Sequence, residues 1–307
     1  MAQNTRGSAK KQQQSSSDDV EPDTTKPVLG GMKGGYRMTG DEETPEGTQT
    51  FDVAFGEKSI ICQQYNTITD GKDNVEGNAA PALIFTHGAG GGINNPATVE
   101  FAQGFATVSP VLCFQGTMNL QSRIKSFKAV IEQDRGSAAL GGRSMGARAA
   151  VLTAQEHEQT TALVLVSYPL TSQKKGDSRE GIILDLTDRA DVLFVIGDRD
   201  TMCDLEMLNE VRSRMKAKSW LVVVKGADHS MSGKPKEYIS ALRKRTGILA
   251  AQWLIERPSE STECNVHWDE EQGDAVSSAW STKSGSEVNV EGTDEQKGSS
   301  RKRRKKA

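Results

Sequence analysis

Hydrophobic residues in this sequence form short continuous runs, and between the runs they recur at every third or fourth position. Six runs end in glycine, proline or a charged residue: "PALIFTHG", "SPVLCFQG", "GSAALGG", "TALVLVSYP", "DVLFVIGD" and "SWLVVVKG". Continuous apolar runs of this kind are typical of strands that are buried on both faces of a parallel sheet. Residues 50–55 and 58–62 instead interleave polar with apolar positions, which predicts two strands at an exposed antiparallel edge.

Helical spacing fills the segments between these runs. The apolar positions predict helices over residues 97–108, 121–134, 146–157, 203–217 and 236–255. Strand and helix therefore alternate, which indicates an α/β domain with a mostly parallel central sheet, helices on both faces and no large lid domain. Because ligands bind such sheets at the carboxyl ends of the strands, the residues that follow each run are the candidates for chemistry.

Composition sets the limits of this domain. The 307 residues are 35% hydrophobic and only 5% aromatic, which is low enough to indicate that part of the chain does not fold. Residues 1–47 are rich in Gln, Ser, Asp, Thr, Gly and Lys, and we predict that this segment is disordered. The same composition returns after residue 256. We therefore predict a folded domain over 48–256 and a disordered tail, acidic then basic, over 257–307.

Charge and cysteine usage argue against several classes of protein. A net charge of -3 and a pI near 5.9 give no whole-chain case for nucleic-acid binding, which needs a basic excess on the domain itself, so we do not expect the folded domain to bind nucleic acid. The four cysteines form no CxxC pair and the histidines have no zinc-ligand spacing, so neither a disulfide framework nor a metal site is expected. The first residues lack a secretory h-region, and no apolar stretch reaches the roughly 18 residues of a membrane span. These features predict an intracellular protein, nuclear or cytoplasmic, that does not contact a membrane.

The segment "LGGRSMGARAA", residues 140–150, carries the strongest chemical motif. Gly142, Ser144 and Gly146 form a G-x-S-x-G pattern at a predicted strand-to-helix turn, where glycine avoids a collision between side chain and backbone. Such a turn holds a nucleophilic serine at the start of the helix and directs the next amide, that of Met145, towards a developing oxyanion. Taken alone, however, a serine in a glycine-rich turn is more often a turn former or a helix cap.

A second glycine-rich segment, "HGAGGG", follows the first buried run. Glycine lets the backbone approach a substrate closely. We therefore predict the second oxyanion donor at the amide of Ala89, with Gly90 as the alternative. We expect His87 to brace this loop and not to transfer protons.

A serine nucleophile needs a base, and the base needs a carboxylate to orient it. His229 follows the last buried run, whereas His157 and His267 fall in a polar helix end and in the tail. The segment "GDRD" offers two acids. We prefer Asp200, because the acid of such a triad usually stands a few residues past the strand and Asp198 lies closer to the strand end, but Asp198 stays open as the alternative.

Simpler roles compete with catalysis at several of these positions. Either Asp200 or Asp204 is suited to cap the helix that follows it, and Asp228 is suited to solvate the loop beside the histidine. Arg148 is placed to pair with an acid on the helix surface. Arg143, next to the serine, favours a negatively charged substrate if it faces the pocket. The sequence leaves these roles open.

Five segments, "FTHGAGGG", "GGRSMGARAA", "SYPL", "GDRDTMC" and "KGADHSM", resemble the dienelactone-hydrolase-like branch of the α/β-hydrolase superfamily, over about residues 50–256. Within it they look like the hydrolase-like domain shared by testis-expressed protein 30 and subunit 3 of the non-specific-lethal chromatin complex. The resemblance implies an α/β-hydrolase fold with Ser144, Asp200 and His229 as the catalytic triad. The polar segment "TSQKKGDSREGII" departs from the relatives, which are richer in proline and histidine there, so the substrate contacts of that loop are not carried over.

Together these features predict a serine hydrolase of the esterase or thioesterase type that needs no metal or organic cofactor. Short connections predict a shallow, open pocket for small acyl substrates. The alternative is a catalytically minor or inactive scaffold in a nuclear or chromatin complex. The six consecutive basic residues of "RKRRKKA", 301–306, favour that alternative, since such a run is typical of a nuclear import signal that binds an import receptor. A solvated charged terminus has the same composition.

Overall fold

The computed structural model describes residues 47–67, 80–134, 139–172 and 178–282. The strands are β1 (Thr48–Phe55), β2 (Lys58–Tyr65), β3 (Leu83–Thr86), β4 (Val111–Phe114), β5 (Ala139–Arg143), β6 (Ala162–Val166), β7 (Asp191–Gly197), β8 (Ser219–Val224), β9 (Glu263–Asp269) and β10 (Asp274–Ser277). The helices are α1 (Pro96–Ala106), α2 (Leu120–Asp134), α3 (Met145–Glu156), α4 (Glu180–Leu184), α5 (Leu205–Arg214) and α6 (Lys236–Ile255). Within the described ranges the strands form a 10-stranded sheet in the order β1-β2-β4-β3-β5-β6-β7-β8-β9-β10.

The centre of the sheet is parallel, as the continuous apolar runs predict. Neighbouring strands from β4 through β3, β5, β6, β7 and β8 to β9 all pair in parallel. At one edge β1 and β2 form an antiparallel hairpin, and β2 pairs antiparallel with β4. The predicted antiparallel edge and the predicted mostly parallel sheet are both confirmed.

Two helical layers cover the sheet, because successive side chains of a strand point to opposite faces. In β3, Leu83 and Phe85 pack in the layer of α1 and α6, where the rings of Phe85 and Phe101 stack with centroids 4.7 Å apart. Ile84, between them, packs in the opposite layer with Phe127 of α2 and with residues of α3, α4 and α5. Burying one such side chain stabilises the fold by about 1.5–3 kcal/mol. The prediction of helices on both faces is confirmed.

The folded part extends beyond the predicted boundary at residue 256. The described chain runs on to residue 282, and within 257–282 it adds two strands to the sheet: β9 pairs in parallel with β8, and β10 pairs antiparallel with β9. The prediction of a disordered tail is therefore wrong for this stretch. Cys264 and Val266 are fully buried while the residues between and beside them are polar, and an average over composition hides such a period-two pattern. Residues 1–46 and 283–307, the rest of the predicted tails, lie outside the described residues.

Most helix predictions agree with the structure to within a few residues at each end. α5 begins at Leu205 because Asp204 is its N-cap: the carboxylate accepts hydrogen bonds of 3.0 Å from the amides of Glu206 and Met207. The short α4 is missing from the prediction, since it lies in the polar stretch after "SYPL". In the described part of the chain, no helix combines the length and the apolar content that crossing a membrane would take.

Candidate active site

The turn between β5 and α3 holds Ser144 in an uncommon conformation. Its φ of 52° lies in the left-handed region, and the helix begins at the next residue. Glycine is required on both sides of the turn. A Cβ on Gly142 would lie 2.4 Å from the carbonyl carbon of Gly146, and a Cβ on Gly146 would lie 2.5 Å from the carbonyl oxygen of Thr86. The G-x-S-x-G pattern therefore forms the sharp strand-to-helix turn that the sequence predicts, with the serine at its apex.

Ser144, His229 and Asp200 lie in one hydrogen-bonded row. The Oγ of Ser144 is 2.9 Å from Nε2 of His229. On the other side of the imidazole, Nδ1 lies 3.0 Å and 2.9 Å from the two carboxylate oxygens of Asp200. Asp200 follows β7, His229 follows β8 and Ser144 follows β5, so the carboxyl ends of three parallel strands bring these distant residues together. Asp200 is buried and His229 is partly exposed, so the row leads from the interior to the surface.

The alternatives to Asp200 have other partners. Asp198 accepts a hydrogen bond of 2.7 Å from the amide of Gly226 and lies 3.9 Å from Nζ of Lys225. Asp204 caps α5, as described above. Asp228 accepts hydrogen bonds from the amides two and four residues ahead of it, at 2.8 and 2.9 Å, and so holds the turn that presents the histidine. Of these four aspartates, Asp200 is the one in contact with His229.

The two predicted oxyanion donors, Met145 and Ala89, line the same cavity as the serine. Met145 is the first residue of α3, where a backbone N–H has no acceptor within the helix and the helix dipole favours negative charge. Ala89 and Gly90 line the same cavity as Ser144, in the loop after β3. A negative charge that develops on a substrate bound at Ser144 is therefore close to a helix N-terminus and to a glycine-rich loop.

His87 is buried and forms part of this loop, as predicted. Its Nδ1 donates to the carbonyl oxygen of Gly88 at 2.7 Å, and its Nε2 accepts from the amide of Gly116 at 3.0 Å. Burial lowers the pKa of His87 to about 4, and the nearby cation of Arg123 acts in the same direction. His87 is therefore neutral at neutral pH and connects the loop after β3 to the loop after β4.

A pH-dependent stability follows from this pKa. In the unfolded chain His87 takes up a proton below about pH 6.5, whereas in the folded state it does so only near pH 4. Since the unfolded state binds more protons between these values, we expect wild type to lose up to about 3 kcal/mol from this group as pH falls from 6.5 to 4. His87→Gln should lack this component. Urea unfolding of both proteins at several pH values measures it, and parallel pH curves would contradict it.

Arg123 is a functional residue that the sequence reasoning missed. It is fully buried, and its guanidinium donates to the carbonyl oxygens of His87, Gly88 and Thr117. It thereby fixes the backbone of the loop that carries Ala89. The sequence does contain a signal: this arginine stands on the apolar stripe of α2, one position before the buried Ile124, where a solvated cation does not belong.

A cavity of about 620 Å³ opens over the serine. That volume is in the range of small-molecule sites. Its lining includes Arg143 and Arg148, which flank the serine in sequence, and two more arginines; no Asp or Glu is among the described lining residues. The lining residues are Ala89, Gly90, Asn95, Pro96, Arg143, Ser144, Met145, Arg148, Arg179, Met202, His229, Ser230, Ser232 and Arg243.

Comparisons with known proteins agree with this fold. Residues 117–245 match a family model described as an alpha/beta hydrolase domain. The fold is similar to that of Est1E from Butyrivibrio proteoclasticus, with a TM-score of 0.53 and 14% identity over 68% of this chain and 99% of that chain. Dienelactone hydrolase from Anabaena variabilis gives a TM-score of 0.51 and 16% identity, over 68% of this chain and 98% of the other. An esterase domain from a Rhodothermus marinus protein gives 0.51 and 15%, over 67% and 97%.

The sheet order, the turn after β5 and these matches define the class of protein: this is an α/β-hydrolase fold. The family model covers residues 117–245, and the fold agrees with the resemblance seen in the motifs. The match supports hydrolysis as the general class of its activity.

Proposed function

We propose that this protein is a serine hydrolase of the esterase or thioesterase type. Ser144 attacks the acyl carbonyl while His229 takes its proton, and Asp200 orients the imidazole and stabilises its charged form. The amides of Met145 and Ala89 hold the oxyanion. His229 then passes the proton to the leaving group, and water hydrolyses the acyl-enzyme with His229 as base. No step of this mechanism uses a metal or an organic cofactor.

The observation that carries the proposal is the unbroken row of hydrogen bonds from Ser144 through His229 to Asp200, each 2.9 Å long at its shortest. A nucleophile within hydrogen-bond reach of a base, with the base oriented by a third group, is the arrangement that nucleophilic catalysis needs. The left-handed conformation of Ser144 adds support, because strained backbone conformations concentrate at functional sites.

The cavity supports a small acyl substrate. Its volume of about 620 Å³ suits a ligand of modest size. Scaffolding in a nuclear complex has no comparable support, since a module without catalysis has no need for a base aligned on a serine. The basic residues 301–306 lie outside the described residues, so nuclear import through them stays a prediction.

A fluorophosphonate probe together with a substrate series tests the proposal. We expect the probe to label the wild-type protein, and we expect hydrolysis of 4-nitrophenyl esters and matched thioesters to be fastest for short acyl chains, because short connections between strands and helices predict a shallow, open pocket. Lack of labelling, combined with no hydrolysis above background across the series, would contradict a serine hydrolase. A strong preference for long acyl chains would contradict the small-substrate part alone.

A further inference from the structure

Arg143, the residue before Ser144, is a buried cation that lacks compensation. The residue is 8% exposed, and its Nε is buried without a hydrogen-bond partner. Within the described part of the chain, no carboxylate or carbonyl oxygen pairs with its guanidinium. Burying a charge without a partner is costly, so such a group in a native fold calls for an explanation.

Two other largely buried arginines of this protein are paired with carboxylates. Arg212 pairs with Glu263 at 3.0 Å, and Arg243 pairs with Glu100 at 2.9 Å. These two guanidinium groups each have an ion-paired acid, whereas no acid among the described residues lies within ion-pair distance of Arg143. This contrast indicates that the missing partner of Arg143 is an anion from outside the chain.

The guanidinium of Arg143 lies at the reaction centre. A Cβ placed on Gly88 would meet Nη1 of Arg143 at 2.6 Å and the Cβ of Ser144 at 3.5 Å. Arg143 and Ser144 thus lie against the same point of the loop that carries the predicted oxyanion donor Ala89. An anion bound by Arg143 is only a few bonds away from a carbonyl carbon that Ser144 attacks.

The charged groups nearest to Arg143 differ in whether they line the cavity. Arg243 lines the same cavity, and its cation lowers the pKa of Arg143 further after the larger effect of burial, while the carboxylates of Asp228 and Asp200 act in the opposite direction. Asp200 is engaged by His229, and Asp228 by backbone amides. Neither carboxylate is among the described lining residues of the cavity, where the charged side chains are arginines.

We infer that Arg143 forms an anion subsite that selects acyl substrates with a carboxylate a few bonds from the scissile carbonyl, such as half-esters of short dicarboxylic acids. This inference rests on the proposed hydrolase function and names its substrate class. The planar guanidinium donates two parallel hydrogen bonds to a carboxylate, which fixes orientation as well as charge. Binding at this position aligns the carbonyl with Ser144 and with the oxyanion donors.

Matched substrates test the inference. Phenyl hydrogen glutarate carries the carboxylate, and phenyl methyl glutarate is the same acyl group with that carboxylate capped as a methyl ester. We expect wild type to release phenol from the first with kcat/KM at least about 10-fold higher than from the second, as a charge-assisted hydrogen bond in a buried site would give. A third substrate, phenyl pentanoate with a phosphate on the phenyl ring, carries its anion on the leaving group. We expect its kcat/KM not to exceed that of phenyl methyl glutarate by such a factor.

Substitutions at position 143 locate the effect. Arg143→Met should bring the ratio of kcat/KM for the two glutarate substrates to about one. Arg143→Lys should keep an intermediate ratio, because lysine retains the charge without the planar pair of donors of a guanidinium. The matched control is Arg189→Met, which removes an exposed arginine that donates to the carbonyl oxygen of Ala154. It should keep the wild-type ratio. The ratio is measured within one protein preparation, so a loss of folded protein does not change it.

The outcomes separate this inference from the proposed function. If wild type hydrolyses both glutarate substrates equally well, or prefers the phosphate-bearing leaving group, the carboxylate subsite is wrong while the hydrolase stands. If the preference exists but survives in Arg143→Met, a residue other than Arg143 is responsible and the inference is again wrong. If no substrate is hydrolysed and a fluorophosphonate does not label the protein, both proposals fail.

Discussion

Ser144→Ala should lower kcat for ester hydrolysis by at least about 10³-fold and abolish labelling by a fluorophosphonate. The substitution removes the oxygen that lies 2.9 Å from Nε2 of His229. It leaves the backbone turn, the glycines around it and the oxyanion donors in place. Only the slow attack of water on a bound and polarised substrate remains. The measurement is steady-state hydrolysis of a short-chain 4-nitrophenyl ester by purified protein, with thermal unfolding as the check that the variant folds.

Ser213→Ala serves as the matched control for that loss. Ser213 is exposed on α5 and donates a hydrogen bond to the carbonyl oxygen of Glu210, so its removal tests the effect of deleting a serine hydroxyl as such. We expect activity and labelling equal to those of wild type. Hydrolysis by Ser144→Ala at a rate within 10-fold of the wild-type rate would rule out Ser144 as the nucleophile.

The second large effect concerns the acid. We expect Asp200→Asn to lower kcat by about 10³- to 10⁴-fold, the size of the effect seen when a triad acid is converted to its amide. In the wild-type protein both carboxylate oxygens of Asp200 lie within 3.0 Å of Nδ1 of His229. An amide at this place favours the wrong tautomer of the imidazole and does not stabilise its charged form. The expected signature is a fall in kcat with a smaller change in KM.

Asp198→Asn gives the comparison that separates the two acids of "GDRD". Asp198 accepts a hydrogen bond from the amide of Gly226, and an asparagine oxygen is able to accept the same bond. We therefore expect kcat to change by less than about 3-fold, because Asp198 has no contact with the imidazole. The reverse order of effects, with the larger loss in Asp198→Asn, would show that the acid is assigned to the wrong residue.

Much of the fold follows from local pattern. The continuous apolar runs predict β3 to β8 because a parallel strand between two helical layers is apolar on both sides. In β9 the fully buried residues, Cys264 and Val266, alternate with polar ones. The acidic residues around this strand give the segment the composition of a disordered tail. Its place in the sheet depends on the neighbouring β8, which is a property of the assembled fold and not of the segment itself.

The candidate site also has residues that the local sequence predicts and contacts that only the assembled fold creates. Ser144, Asp200 and His229 were accessible to prediction because each follows a buried run, and parallel strands end at a common edge. The role of Asp198 depends on a contact with Gly226, 28 residues away in sequence, so the motif "GDRD" alone leaves two acids open. Arg123 binds carbonyl oxygens of a loop 35 and 36 residues away, and no local pattern identifies that partner.

The most direct test of the central claim is to locate the covalent adduct that an active-site probe forms on the nucleophile. Wild type is incubated with a fluorophosphonate, digested, and sequenced by tandem mass spectrometry, in parallel with His229→Ala. If Ser144 is a nucleophile activated by His229, the adduct lies on the oxygen of Ser144 in wild type and forms at least about 100-fold more slowly in the variant. An adduct on another residue, or an adduct on Ser144 that forms equally fast without the histidine, would contradict it.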